Sequence, residues 1–297
     1  MGEFVDFEVA YVKINLALHV RERRSDGYHS IETLFAFAED GDILSVAPAS
    51  ALTLSIYGPF SNGLSGGSDN LVMRAALALQ QAYGVDQGAA LTLDKRLPIA
   101  AGIGGGSADA AAALRLLARY WKLNANDAAL VDIAKTLGAD VPACVVSQTV
   151  RGEGVGDVLH PVAAPGLKDV PILLINPRVS CPTGAVFAAW DGIDLGALSR
   201  GDIMVAAQTG RNDLQPPALR IVPEIQSICA FMQAQPGNLL TRMSGSVATC
   251  FSLYRNSDDC ERAQKACPPQ WWSMASRLRY IQPSSNRLSI KSSGIAP

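Results

Sequence analysis

Between residues 10 and 20 the chain alternates strictly. Ala10, Val12, Ile14, Leu16, Leu18 and Val20 fall on one face and Tyr11, Lys13, Asn15, Ala17 and His19 on the other, which predicts a β-strand. Asp26-Gly27 then favours the positive dihedrals of a tight hairpin, and a returning strand is expected over 31–37. Apolar runs predict further strands over 43–46, 52–57 and 90–94, around a helix at 71–83 begun by Asp69 or Asn70. Helical text resumes at 108–120 and at 128–137, the second capped by Asp127 and stopped by Gly138. A turn-rich stretch at 160–171 reads as a passage between two domains, 1–165 and 166–297. Beyond it, strands are expected at 172–175 and 248–254 and helices at 184–190 and 221–234, with a loosely held serine-rich tail after Tyr280. No internal repeat is visible.

Four glycines at 102, 104, 105 and 106 and Ser107 stand directly before the alanine-rich helix. Glycine lets a ligand come close to the main chain, and the first amides of a helix, with its dipole behind them, form an anion site. A Walker A loop is excluded because no Lys-Ser/Thr pair follows Gly106. The dinucleotide fingerprint fails because Ser107 stands where a small bare residue is needed and no acidic residue ends a following strand. The alternative is a tight turn that binds nothing, but one or two glycines would suffice for that, and four cost backbone entropy.

At 297 residues, 48% hydrophobic and 18% charged, the chain has material for two packed cores. A formal charge of -2 argues against nucleic acid as a partner. No stretch approaches a membrane span and the amino terminus lacks the pattern of a secretory signal, so a cytoplasmic location is expected. Six cysteines without a Cys-x-x-Cys pair read as reduced, buried thiols, and three histidines are too few for a His-rich metal centre. The sequence sets no oligomeric state.

Two groups carry candidate chemistry. Lys13 and Asn15 share the polar face of the first strand, which is either solvated or turned toward a site. Asp140, in Gly138-Ala139-Asp140-Val141-Pro142, is either the N-cap of a short helix or, with a lysine beside it, a carboxylate placed to orient a hydroxyl and accept its proton.

Lys13-Ile14-Asn15-Leu16, Asp26-Gly27-Tyr28-His29, Gly102-Ile103-Gly104-Gly105-Gly106-Ser107, the segment around Asp140, Asn212-Asp213-Leu214 and Met243-Ser244-Gly245-Ser246 occur in this order. On these motifs, from about residue 10 to 254, the chain resembles the galactokinase, homoserine, mevalonate and phosphomevalonate (GHMP) kinase superfamily. The first two motifs narrow the likeness to its branch acting on a cytidine-diphosphate-linked methylerythritol. The resemblance implies an α+β architecture in two domains, the first like ribosomal protein S5 and the second ferredoxin-like, with the active site between them. It also implies ATP-dependent phosphorylation of the 2-hydroxyl of that small molecule on the non-mevalonate route to isoprenoids, with ATP and Mg2+ as cofactors.

By the same likeness Asp140 is the catalytic aspartate and Lys13 its partner, while Asn15 and Thr183 help hold the substrate. Tyr28 and His29 match the positions that recognise the cytosine; Phe187 either covers the other side of the base or is a core residue. Asn70, Lys95, Pro98, Ala101, Gly102, Ile103, Gly104, Gly105, Gly106, Ser107 and Ala108 match the nucleotide site. No protein metal ligand is assigned. The chain departs from the family pattern at Val247, where glycine is usual; either the backbone there is extended or binding is weakened. Asp109 either complements the helix start or contacts magnesium, and Ala108 lacks a hydroxyl that many members carry.

Overall fold

The computed structural model describes residues 6–99 and 101–281, so the expected loose tail, Ile281 apart, lies outside the described residues. Strands β1 (Asp6–Arg23) and β2 (His29–Ala47) form a long antiparallel pair. Both exceed what the alternation predicts, and the two strands expected over 31–37 and 43–46 are one. The polar run Glu39-Asp40-Gly41-Asp42 stays in the sheet. A Cβ at Gly41 would lie 1.9 Å from the carbonyl oxygen of Ala10, so only glycine allows the strands to meet there. Register shifts at Tyr11/Lys13, Asn15/Ala17 and Val20/Glu22 interrupt the period of two. Both faces of β1 are covered, and Lys13, Asn15 and His19, on its polar face, are buried.

β3 (Leu52–Tyr57), α1 (Leu71–Tyr83), β4 (Ala89–Asp94), α2 (Gly105–Tyr120), α3 (Asp127–Lys135), α4 (Val141–Val146), β5 (Val150–Glu153) and β6 (Val158–Pro161) complete the first lobe. Its sheet runs β3-β4-β2-β5-β6, with β1 paired to β2. Asn70 caps α1 by accepting from the Val72 amide, and Gly84, at φ 63°, ends it. The cap of α3 is Asn126, not Asp127, which sits in the first turn and complements the dipole. α2 begins at Gly105, three residues before the expected start, and its alanines 110–113 are fully buried. Side chains this small bring the helix close to the sheet, where Leu44, Leu79, Leu91 and Leu114 pack at about 1.5–3 kcal/mol each.

The second lobe comprises β7 (Pro171–Asn176), α5 (Thr183–Ala188), α6 (Ile203–Thr209), α7 (Gln215–Ile221), α8 (Glu224–Gln233), β8 (Asn238–Met243), β9 (Cys250–Tyr254), α9 (Ser257–Lys265) and β10 (Trp272–Arg277). Its antiparallel sheet has the order β10-β7-β9-β8. Numbering the four strands by chain position gives 4-1-3-2, the ferredoxin-like order. The helix expected over 221–234 is α8 and starts only at Glu224, because Pro223 holds Val222 extended at φ -131° and ψ 86°; the separate helix before it, α7, is not expected from the sequence. β1 serves both lobes. Val12, Ile14 and Leu16 pack with Ile172 and Leu174 of β7 and Phe251 of β9, while Leu18 forms a bridge to Asn212. No helix among the described residues is long and apolar enough to cross a membrane.

Candidate active site

A cleft of about 1260 Å³ opens between the glycine loop, the β1–β2 hairpin, the start of α5 and a loop at 244–247. On its wall two residues far apart in the chain meet: Lys13 Nζ lies 3.1 Å from Asp140 Oδ2. The lysine side chain is 4% exposed and the aspartate 42%, so the ammonium is fixed while the carboxylate faces the opening. Lys13 also donates to Asn15 Oδ1 at 3.0 Å and sits over the Phe35 ring. An ammonium has three donors, so one remains for a ligand. Asn15 in turn donates to Thr33 Oγ1, which fixes its amide. Asp140 does occupy the N-cap position of α4, yet its side chain makes no capping bond there. The carboxylate is therefore free for the cleft.

Gly104 takes φ 65°, and a Cβ on it would press on Lys13 at 3.2 Å, so the loop rests directly on the lysine. Ala108 N closes the first helical bond to Gly104 O, leaving the amides of Gly105, Gly106 and Ser107 without a partner within the helix, beside the cleft. Pro98, Ala101 and Gly102 line the same wall, and Asn70 joins them while capping α1. Ile103 and Ala108 do not. Both side chains are turned into the core, which leaves only their main chain to meet a ligand.

The loop at 244–247 is held from behind. Asn212 donates from Nδ2 to the carbonyls of Met243 and Gly245, both at 2.8 Å, and Ser244 Oγ accepts from the Asn15 amide. The positive dihedral of this loop is taken by Gly245, at φ 65°, and Val247 is not in the left-handed region. Its side chain is buried instead, with Cγ2 in the space that a Cβ on Gly102 would fill. The valine thus costs no backbone strain and plugs the two loops together.

Lys95 lines the cleft but is bound to a different task. Its ammonium lies 2.5 Å from Asp42 Oδ2 and 2.6 Å from Asp109 Oδ2, with all three side chains almost fully buried. Asp42 Oδ1 additionally accepts from the amides of Arg96 and Leu97, which shapes the approach to the glycine loop. Asp109 has no such help: it lies beyond the first turn of α2, and its Oδ1 is buried without a partner. Complementing the helix start is therefore not its role. Burial, with the Lys95 charge opposing and Asp42 adding, pushes its carboxyl up to about 8. Burial pulls the Lys95 ammonium down, but the charges of Asp109 and Asp42 outweigh it and raise it above its ordinary value. Neither Asp42 nor this triad follows from the sequence patterns.

At the far end of the cleft Tyr28 is 63% exposed, and the Asp26 carboxylate accepts from its amide. His29 is buried against Phe187, with ring centroids 5.0 Å apart, and meets Trp190 edge-on. Phe187 is half-buried and serves both descriptions, packing on the second core and lining the cleft. Thr183 opens α5 and accepts a hydrogen bond from Ser246, or donates to it, at 3.1 Å.

The family described as GHMP kinases N terminal domain matches residues 70–148, and GHMP kinases C terminal matches 195–273. The chain is 56% identical over 277 residues to the 4-diphosphocytidyl-2-C-methyl-D-erythritol kinase of Rhizorhabdus wittichii, covering 92% of this chain and 94% of that one. It is 51% identical to the protein of the same name from Sphingopyxis alaskensis, over 92% and 98% of the two chains. A crystal structure of 4-(cytidine 5'-diphospho)-2C-methyl-D-erythritol kinase superposes with a TM-score of 0.77 at 36% identity, covering 92% of this chain and 99% of that one. A homoserine kinase from Cytophaga hutchinsonii, at 17% identity and a TM-score of 0.67 over 91% and 96%, shares the fold.

Proposed function

The chain belongs to the 4-diphosphocytidyl-2-C-methyl-D-erythritol kinase family of the GHMP kinases, and on that premise we propose that it transfers the terminal phosphoryl group of ATP to the 2-hydroxyl of 4-diphosphocytidyl-2-C-methyl-D-erythritol. The observation that carries the reading is the Lys13–Asp140 pair beside the glycine loop. Phosphoryl transfer needs positioning and charge stabilisation more than covalent help. The amides of Gly105, Gly106 and Ser107 and the start of α2 hold the phosphates. Asp140, half open to the cleft, accepts the proton of the attacking hydroxyl, and Lys13 orients that carboxylate while its remaining donor faces the transferred group. Tyr28, His29 and Phe187 receive the base, and Asn15 and Thr183 the polar body of the substrate.

Among the described residues no three His, Cys, Asp or Glu side chains cluster to hold a metal. Magnesium held mostly by phosphates needs only one or two carboxylates, and the unpartnered Asp109 Oδ1 on the cleft wall fits that need. When bound, the ion offsets the charge of the phosphates. Residues 1–165 and 166–297 form the two domains in this reading, and the six free cysteines agree with a reducing, cytoplasmic setting.

The test is release of ADP with the cytidylyl substrate against mevalonate and homoserine as acceptors. Turnover with either of the latter and none with the first would overturn the assignment.

A further inference from the structure

Arg23 has no part in the chemistry above. It closes β1, pairs with His29 across the hairpin and lines the cleft. Its guanidinium reaches both sides of the base pocket: Nε donates to His29 Nε2 at 3.4 Å, and Nη2 donates to the carbonyl of Ala188 at 3.3 Å. Ala188 ends α5, the helix that carries Phe187. Guanidinium is a donor only, so the nitrogen it faces must be an acceptor and carries no proton. His29 is thereby assigned, from its hydrogen-bond network, as the neutral form with hydrogen on Nδ1, a nitrogen that no described residue engages.

We propose, resting on the reading of this cleft as a cytidylyl site, that Arg23 is a positioning residue for base recognition: it holds His29 in the Nδ1–H tautomer, which offers one fixed donor to the acceptor edge of a cytosine, and it ties the hairpin to α5 around that base. The rest of the surroundings agree. Burial first, and the Arg23 charge second, hold the imidazole below its ordinary 6.5, and the rings of Phe187 and Trp190 are the other groups against it. No carboxylate faces the ring to favour its protonation.

The experiment compares wild type, Arg23→Gln and Arg23→Lys by the nitrogen-15 spectrum of the free enzyme and by KM for the cytidylyl substrate between about pH 5.5 and 8.5. Only three histidines contribute signals, His19, His29 and His160. Wild type shows the Nδ1–H form of His29 and a flat KM. Arg23→Gln mixes the tautomers, raises KM about five-fold at neutral pH, the worth of one ordinary hydrogen bond, and raises it further as pH falls through the ordinary imidazole range. The change lies mainly in KM and less in kcat, and Arg23→Lys restores part of the pH profile by returning the charge. An Nε2–H form in wild type, or a glutamine variant with the wild-type tautomer and profile, overturns the proposal. A chain with no turnover of the cytidylyl substrate refutes the functional reading alone, since the spectra still decide how Arg23 and His29 pair.

Discussion

Two lysines flank the glycine loop, and their carboxylate partners separate a working site from a strut. Lys13 has one carboxylate, Asp140, which is 42% exposed; Lys95 has two, Asp42 and Asp109, which are 0% and 4% exposed. Lys95 is held closer, at 2.5 and 2.6 Å against 3.1 Å, but a shorter contact does not say which pair meets a substrate. Access does: a base must meet a hydroxyl, and the carboxylates buried against Lys95 cannot.

The largest expected effect breaks the first pair. Asp140→Asn lowers kcat by about 10²- to 10⁴-fold while leaving the affinity for a non-hydrolysable ATP analogue, by calorimetry, within about two-fold. Full turnover in this variant removes Asp140 as the base. Methionine at each lysine then sharpens the contrast in urea denaturation. Lys95→Met leaves two buried carboxylates facing each other and costs about 3–5 kcal/mol, whereas Lys13→Met leaves a carboxylate that water can reach and costs about 1 kcal/mol. Equal losses would mean that both pairs are structural.

Tyr28→Ala, at the far end of the cleft from either lysine pair, tests whether binding can fail while both lysines stay in place. Loss of stacking worth about 1–3 kcal/mol raises KM for the cytidylyl substrate by about five- to 100-fold with little change in thermal stability. An unchanged KM takes Tyr28 out of the binding site.

The smallest effect concerns protons in the sealed triad. Asp109 is raised from 3.8 to about 8, so in this window the folded chain keeps a proton that the unfolded chain has released. The stability it brings is full below 3.8 and is lost as pH rises through about 8. The melting temperature should therefore fall as pH rises from about 4 to about 8, and Asp109→Asn should flatten that fall. A fall that survives the substitution has another origin.

Local rules made much of this legible. The first strand, the helix at 71–83 and the glycine loop follow from alternation, capping and backbone freedom, each written within a few residues. Lys13 and Asp140 are each candidates on local grounds, but their pairing follows only from motif likeness, because nothing local says that positions 127 residues apart will touch. The triad stayed hidden for the same reason: Asp42 sits in a polar run that reads as the end of a strand, and only the close crossing at Gly41 keeps that run inside the sheet. β8 and β10 lack clean periodicity because the second sheet leaves several of their positions half-covered. Ile103 and Ala108 were placed by their neighbourhood in a motif, which identifies a backbone and not the direction of each side chain.

The continuity of β1 has a consequence for selectivity. Lys13 and Arg23 are borne on one uninterrupted strand, stitched to the second lobe through the mutual hydrogen bonds of Leu18 with Arg211 and Asp213. In the reading proposed above, this strand, bulged at Asn15/Ala17 and Val20/Glu22 but unbroken, fixes the span between the phosphoryl end and the nucleobase end of the cleft. On that reading it works as a ruler: a compound that fits one end is accepted only if its length also reaches the other.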